Sequence, residues 1–439
     1  MKIVKLVPGS GDNFYCENCV RDLALVRALK KAGHEVTVIP MYLPQRIDRL
    51  DEASSAPLFF GGINAYLQQQ YRLFRMTPRW LDRIFDSRLL LGLAARRAGT
   101  VRPSDLGAMT LSMLKGRDGH QKKELERLVR WLEQLGKPDV VHLSNPLLLG
   151  LGAEIRSRLG VPIVCSLQDE DAWLDGVTPP YLDRCWQTMA DHARNVDAFV
   201  AVSRYFGDVM GERMKIAADR LHVAHVGVDP GAFDPSALPQ APPVIGYLAR
   251  MSESLGLPVL VEAFLKLKET ASFQGLRLHV SGGATADDGP YLTRLKHGLA
   301  VRRMDGDVTL FEAFDPEARK AFFRSLTVFS VPAPGGVAFG TFLLESLASG
   351  VPVVQPRAGA FPELVEATGG GVIYEPNDAA ALARAIGELL SDPKRLAELG
   401  ERGRQAVADA FSPARMAERV LDVYRHVVPS GAMADGRPS

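Results

Sequence analysis

The sequence predicts an α/β protein built from two doubly wound parallel-sheet domains in tandem, facing a cleft across the carboxyl edges of their strands. Three observations carry that expectation. Short apolar runs alternate with stretches of helical spacing along most of the chain, the pattern of repeated βαβ units. Most of these runs are nearly continuous rather than alternating, as strands covered on both faces require. The series also breaks and restarts around a proline-rich stretch at 230–243, as at a domain boundary. At 439 residues the chain is long enough for two ordinary cores.

The opening unit reads as a strand from Lys2 to Val7, a loop from Pro8 to Phe14, a helix from about Glu17 to Ala32 and a strand from Glu35 to Pro40. Leu23, Val26, Ala28 and Leu29 supply the helical spacing, and Gly33 stands where a helix-terminating glycine belongs. The N-terminal apolar stretch is too short for a signal segment and reads as the first buried strand. From Leu58 to about Gln121 the alternation gives way to a helical insert, aromatic and rich in arginine at Arg72, Arg75, Arg79, Arg83 and Arg88. Such a stretch can lie on an anionic membrane surface, but a solvated charged face over a packed aromatic one is the commoner meaning.

Strands resume at Val140–Leu143, Pro162–Leu167, Ala198–Val202 and Leu221–Val226, with helices at Glu124–Leu135, Leu147–Leu159 and Tyr181–Arg194. The first domain is thus expected to span 1–229 and the linker 230–243, where Pro235, Pro239, Pro242 and Pro243 cluster. The second domain, 244–412, opens with the strand V-I-G-Y-L-A-R and a helix from Pro258 to Glu269. The strand-and-loop L-R-L-H-V-S-G-G, helices at Pro290–Leu299 and Pro316–Arg324, and a strand at Leu326–Val331 follow. A last helix, 413–428, closes the chain.

The most informative stretch is Ser330–Glu363, where a strand ends, a Gly/Pro loop follows, and a helix opens near Gly340 and stops at Ser349-Gly350. A strand end, a glycine-rich loop and a helix N-terminus gather backbone N–H groups and the positive end of a helix dipole, which suits an anion such as a diphosphate.

Composition excludes some classes. Apolar content of 46% and charged content of 23% are those of a soluble globular protein. A formal net charge of +1 gives no global pull toward nucleic acid. No apolar run is long enough for a membrane span, so the expected location is the cytoplasm, with peripheral membrane contact left open. Cys16 and Cys19 form C-x-x-C, open to a redox pair or half a zinc site. With no matching second pair, two packed thiols are the simpler expectation, and no metal site is assigned.

Several segments, taken in order, carry a resemblance. They are G-H-E-V-T-V, P-D-V-V-H, D-A-F-V-A-V-S, V-G-V-D-P-G-A-F-D-P, I-G-Y-L-A-R, L-H-V-S-G-G, F-G-T-F-L-L-E-S-L-A-S-G-V-P-V-V and G-A-F-P-E-L-V. Together they resemble the family-4 glycosyltransferases, retaining enzymes of the GT-B fold, over nearly the whole chain apart from the insert. The resemblance implies a UDP- or GDP-sugar donor on the second domain and a sugar, lipid or small-molecule acceptor on the first. The last helix would cross back to the first domain. No cofactor is implied, since the nucleotide sugar is itself a substrate. Arg250 matches the family's diphosphate arginine and would be the catalytic cation, its planar fork suiting phosphate oxygens. The N–H groups of Gly340, Thr341 and Phe342 would meet the same charge, and Glu345 matches the ribose-binding glutamate. Gly11, Gly246, Gly282 and Gly283 would let backbone approach the donor, and His142, Ser144 and Asp169 mark the acceptor side.

The chain departs from the family pattern in three places: Val337 stands at the first glutamate of E-x7-E, Leu255 at the usual lysine, and Ser144 at a frequent second histidine. A charge-assisted hydrogen bond contributes roughly 1.5–3 kcal/mol, on the order of 10- to 150-fold in rate if realised only in the transition state. Losses of that size slow a reaction without abolishing it, and Arg357, Glu253 or the acidic loop Asp169-Glu170-Asp171 could compensate. The rivals are a non-catalytic nucleotide-sugar-binding or scaffold protein and, more distantly, a GT-B sugar-nucleotide epimerase.

Overall fold

The computed structural model describes residues 1–8, 15–41, 59–60, 69 and 103–429. These form two compact units: the first takes 1–11, 25–224 and the chain from Ala417 on, and the second takes 12–24 and 225–416.

The first unit is built on a six-stranded sheet of β1 (Lys2–Val7), β2 (Glu35–Pro40), β3 (Val140–Leu143), β4 (Ile163–Leu167), β5 (Ala198–Ala201) and β6 (Leu221–Val223). The strand order is β2-β1-β3-β4-β5-β6, and every pairing is parallel. β3, β4 and β5 are buried at every residue, which is why their sequences are unbroken apolar runs rather than alternating ones. The connecting helices include α1 (Glu17–Lys31), α2 (Pro103–Leu114), α3 (Lys122–Leu135), α4 (Gly152–Leu159), α5 (Glu170–Leu174), α6 (Leu182–Ala193) and α7 (Arg204–Met214). Helix α7 was absent from the sequence expectation although its signal is plain: Ser203, at a strand end, accepts from the Phe206 N–H at 3.0 Å as an N-cap. Of the expected insert, 61–68 and 70–102, with all five arginines, lie outside the described residues, and 103–114 is helix α2.

The second unit repeats the plan with β7 (Val244–Leu248), β8 (Arg277–Ser281), β9 (Val308–Leu310), β10 (Val328–Phe329), β11 (Val353–Pro356) and β12 (Gly371–Tyr374), again all parallel in the order β12-β11-β10-β7-β8-β9. Its helices are α8 (Leu257–Lys268), α9 (Gly289–Val301), α10 (Pro316–Arg324), α11 (Thr341–Ala348), α12 (Phe361–Thr368), α13 (Ala379–Leu390) and α14 (Pro393–Ala410). A chain of edge-on and tilted rings, Phe311, Phe322, Phe323, Phe329, Phe342 and Phe361, runs through its core. The order β10-β7-β8 matters most for function. It makes neighbours of three carboxyl-end loops that lie far apart in sequence, those following Phe329, Leu248 and Ser281.

The unit boundary falls between 224 and 225, and the stretch 230–243 is part of the second unit rather than a tether. Ser236 shows why: its N–H donates to the Ser349 carbonyl at 2.8 Å and its hydroxyl to the Leu326 carbonyl at 2.9 Å. Prolines there stiffen a packed strap, which composition alone does not separate from a linker. The final helix α15 (Pro413–Val427) joins the first unit from Ala417 on. Cys16 and Cys19 are joined as a disulfide, so the expectation of two packed thiols is corrected; their spacing within the first turn of α1 brings the Cα atoms to 5.4 Å. Among the described residues no helix is long and apolar enough to cross a membrane.

Candidate functional site

Helix α11 is the centre of the site in the second unit. Its N-cap is Gly340 at φ +97°, a backbone conformation that favours glycine, and all eight helical residues are buried. Apolar Phe342, Leu343, Leu344 and Leu347 account for that depth, and Glu345 is the one carboxylate carried down with them, 1% exposed. Isolated, such a charge would be lost to protonation. Here both oxygens are claimed: Arg319 Nε donates to Oε1 at 3.2 Å and the Tyr15 hydroxyl to Oε2 at 3.0 Å. The Arg319 guanidinium also donates to the Phe314 carbonyl at 3.1 Å and lies 5.3 Å from the centroid of the Tyr15 ring.

The electrostatics follow from burial. Desolvation pushes the Glu345 carboxyl above its ordinary range, and Arg319 and the Tyr15 hydrogen bond work against that push. Burial and the negative charge of Glu345 raise the Tyr15 phenol well above its usual value, so it stays a neutral donor. For Arg319 burial opposes the charged form, but Glu345, Tyr15 and Asp315 outweigh it and the net direction is upward.

Tyr15 is held by a second bond, its N–H to the Gly282 carbonyl at 2.9 Å. It therefore bridges the loop after β8 to helix α11. Gly282, at φ +120°, would place a Cβ 2.3 Å from the Ala249 carbonyl oxygen, so the loops after β7 and β8 pack backbone against backbone. Met251 N–H donates to the Gly283 carbonyl at 2.9 Å and ties the same two loops. Arg250 stands between these anchors. One guanidinium nitrogen reaches the Ser254 hydroxyl at 3.2 Å, while Nε makes no hydrogen bond and lies 3.8 Å from Asp288. The Thr341 N–H, at the start of α11, is taken by the carboxylate of Glu17.

The structure thus brings Arg250, Gly282, Gly283, Gly340, Thr341 and Glu345 to adjacent strand ends of one sheet. Phe342 is buried beside Phe329 and Phe361, and its side chain serves the core. Gly246 lies mid-strand, where a Cβ would meet Leu326 at 2.1 Å, so packing accounts for that glycine. Gly11 lies outside the described residues. Val337 and Leu255, both half-buried, leave aliphatic surface at their positions. Of the proposed compensators, Arg357 pairs with Glu375 at 3.0 Å and Glu253 with Arg294 at 3.3 Å, all four exposed.

The acceptor-side candidates fall in the first unit. His142 on β3 is fully buried, with Nε2 2.7 Å from the Ser166 hydroxyl and Nδ1 against the Tyr424 hydroxyl. Both ring nitrogens are thereby engaged by protein, the position of a core histidine. Ser144 is buried beside Gln168, whose amide nitrogen reaches both the Ser144 carbonyl and its hydroxyl. Asp169 is exposed at the start of α5, and its neighbour Glu170 is buried, accepting from the Gln168 N–H at 3.0 and 2.9 Å.

Tyr15, Glu17 and Arg319 escaped the sequence reading. Arg319 had a signal: it lies three and four residues before Phe322 and Phe323 on α10, both buried, so helical spacing alone puts an arginine on the covered face. Tyr15 and Glu17 had none, since their partners lie more than 300 residues further along the chain.

Comparison with known proteins adds two family models: the glycosyl transferases group 1 model matches residues 230–406 and the Glycosyltransferase Family 4 model residues 106–232. A D-inositol 3-phosphate glycosyltransferase of Catenulispora acidiphila is 28% identical over 414 residues, covering 86% of this chain and 93% of that protein. Among solved structures, a sucrose-phosphate synthase of Thermosynechococcus elongatus superposes with a TM-score of 0.69 at 18% identity, covering 97% of this chain and 99% of the other. Anabaena Alr3699/HepE, solved with UDP, gives a TM-score of 0.68 at 16% identity over 97% and 100%.

Proposed function

This chain belongs to the family-4 glycosyltransferases, enzymes of the GT-B fold, and from that premise we propose that it moves a sugar from a nucleotide-sugar donor to an acceptor with retention at the anomeric carbon. The observation that carries the donor side is the anion already seated at the start of α11: the Thr341 N–H binds the Glu17 carboxylate. A helix N-terminus that takes a carboxylate oxygen is equally suited to a phosphate oxygen.

In this reading the diphosphate displaces Glu17 and lies against the N–H groups of Gly340 to Phe342. Arg250, with an unspent Nε donor, takes up the charge that develops on the leaving phosphate oxygen. Glu345 accepts from the ribose hydroxyls, and the loops at Gly282 and Gly283 let backbone come close. Gly11 belongs to the same donor reading, while His142, Ser144 and Asp169 mark the acceptor side. With Val337 and Leu255 in place of a glutamate and a lysine, the donor sugar is held by fewer charged groups than the family pattern supplies.

The test is release of UDP or GDP from a panel of UDP- and GDP-sugars, with and without acceptors. D-inositol 3-phosphate, after which the Catenulispora relative is named, joins simple sugars and lipid-linked acceptors in the panel. The expected result is turnover of one donor and a product whose anomeric configuration, read by NMR, matches that of the donor. No turnover and no thermal shift with either nucleotide overturns the reading. A thermal shift without turnover leaves a nucleotide-sugar-binding protein in its place.

A further inference from the structure

Glu345 and Arg319 form a pair with side chains 2% and 11% exposed, a depth at which the carboxylate alone would be driven toward its protonated form and an unpaired guanidinium would carry a large desolvation cost. The arginine is not placed by the pair only. Its helix is pinned at the start by Asp315, whose side chain accepts from the Glu317 and Ala318 N–H groups at 3.0 and 3.2 Å. Its guanidinium is held a second time by the Phe314 carbonyl, and a third time by the Tyr15 ring. A cation held by two contacts besides the carboxylate, on a helix fixed at its start, presents a set edge to the carboxylate and so sets the direction in which the carboxylate points.

We propose that Arg319 is a positioning residue for the sugar nucleotide: it fixes Oε1 of Glu345 and turns the carboxylate so that Oε2, now taken by the Tyr15 hydroxyl, is the oxygen that accepts from ribose. This inference rests on the donor reading above and adds to it a residue that touches the substrate only through Glu345. The charged and titratable groups around Glu345 are Arg319 from α10 and Tyr15 from the stretch before α1, with Glu17 acting on Tyr15 and Asp315 on Arg319. Burial and Glu345 hold the Tyr15 phenol well above its usual value, so it stays neutral, leaving Glu345 as the group whose ionisation Arg319 controls. Removing the guanidinium removes the largest influence that opposes desolvation and leaves only the Tyr15 hydrogen bond, so the carboxyl protonates at higher pH and one of its oxygens ceases to be a full acceptor.

The experiment is calorimetric titration of UDP and GDP into wild type, Arg319→Met, Arg319→Lys, Glu345→Gln and the Arg319→Met/Glu345→Gln double variant, from pH 6 to 9, with each variant's fold checked by thermal unfolding. For the nucleotide that wild type binds, Arg319→Met is expected to bind about tenfold more weakly at pH 7, the loss of one charge-assisted interaction. Its affinity should recover toward wild type as pH rises to 9. Arg319→Lys should restore part of the affinity at pH 7, and in the Glu345→Gln background the Arg319→Met effect should fall below twofold. Arg319→Met binding within twofold of wild type at pH 7, or a tenfold loss that is flat with pH and persists in the Glu345→Gln background, overturns the inference while leaving the donor reading standing. If Arg319→Met fails to fold, an Arg319→Lys profile unchanged from wild type in both affinity and pH dependence overturns it as well. Binding of neither nucleotide to wild type overturns the donor reading and this inference together.

Discussion

A carboxylate is buried in two ways in this molecule, and in both burial raises its pKa, with a counter-charge opposing the rise in only one of them. Glu345 is buried against a guanidinium, whereas Glu170 is buried against backbone and other acids. For Glu170 burial is the largest cause of a strongly raised pKa, followed by the charge of Asp169, with backbone hydrogen bonds only partly offsetting them. A raised carboxyl pKa means the folded state holds the proton more tightly than the unfolded one. Between the unfolded value of about 4.3 and the higher folded value, stability therefore falls as pH rises. Glu170→Gln removes that dependence while keeping an oxygen for the Gln168 N–H. The difference in Tm, variant minus wild type, is expected to grow from pH 4 to pH 8; a difference constant with pH would contradict the sign. At this scale the sequence was legible where one residue type has one use. Arg250, Gly340 and Glu345 were placed on their strand-end loop and helix beforehand, because they stood in segments with a clear strand-loop-helix order. His142 was readable as a strand-end residue, and its two buried partners, one on β4 and one on α15, are invisible until the chain is folded.

At the scale of the element, the start of α11 behaves as an anion site in its own right. An acidic group at a helix N-terminus contributes about 0.3–1 kcal/mol when exposed and up to about 2 kcal/mol when partly buried. Glu17 supplies that group here, and on the proposed donor reading a diphosphate competes with it. Glu17→Gln is expected to strengthen UDP or GDP binding by roughly 2- to 30-fold, the affinity equivalent of those energies, as read by calorimetry. Weaker binding in the variant would show that Glu17 supports the site rather than occupying it. The element that carries this site was readable from sequence almost to the residue: a helix opening near Gly340 and stopping at Ser349 is α11. Helix α12 was not: no helix was expected after the strand that follows α11, although proline is well tolerated in a first helical turn. The disulfide at the start of α1 was also missed, because C-x-x-C spacing fits a thiol pair, a half metal site and a closed bridge equally well.

At the scale of the whole molecule, two all-parallel sheets of six strands were legible because each strand is short, apolar and followed by helical spacing. What the sequence withheld was the division of the chain between the units. Residues 12–24 lie between β1 and the body of the first unit in sequence, yet they count with the second. Sequence order assigns a segment to its neighbours, and only packing reveals another owner. The same fold-level account predicts the direction of one repair. Val337 stands at the first glutamate of the family pattern, so on the proposed donor reading Val337→Glu is expected to raise hydrolysis of the bound donor, measured as nucleotide release without acceptor; a fall in existing turnover would mean that this loop holds its sugar differently.

The central claim is that the second unit binds the diphosphate of a sugar nucleotide through Arg250. Titration of UDP and GDP into wild type and Arg250→Ala tests it most directly. One of the two nucleotides is expected to bind wild type, and Arg250→Ala to weaken it by roughly 10- to 150-fold, the loss of about 1.5–3 kcal/mol of charge-assisted bonding. Binding of neither nucleotide, or an Arg250→Ala affinity within twofold of wild type, would contradict it.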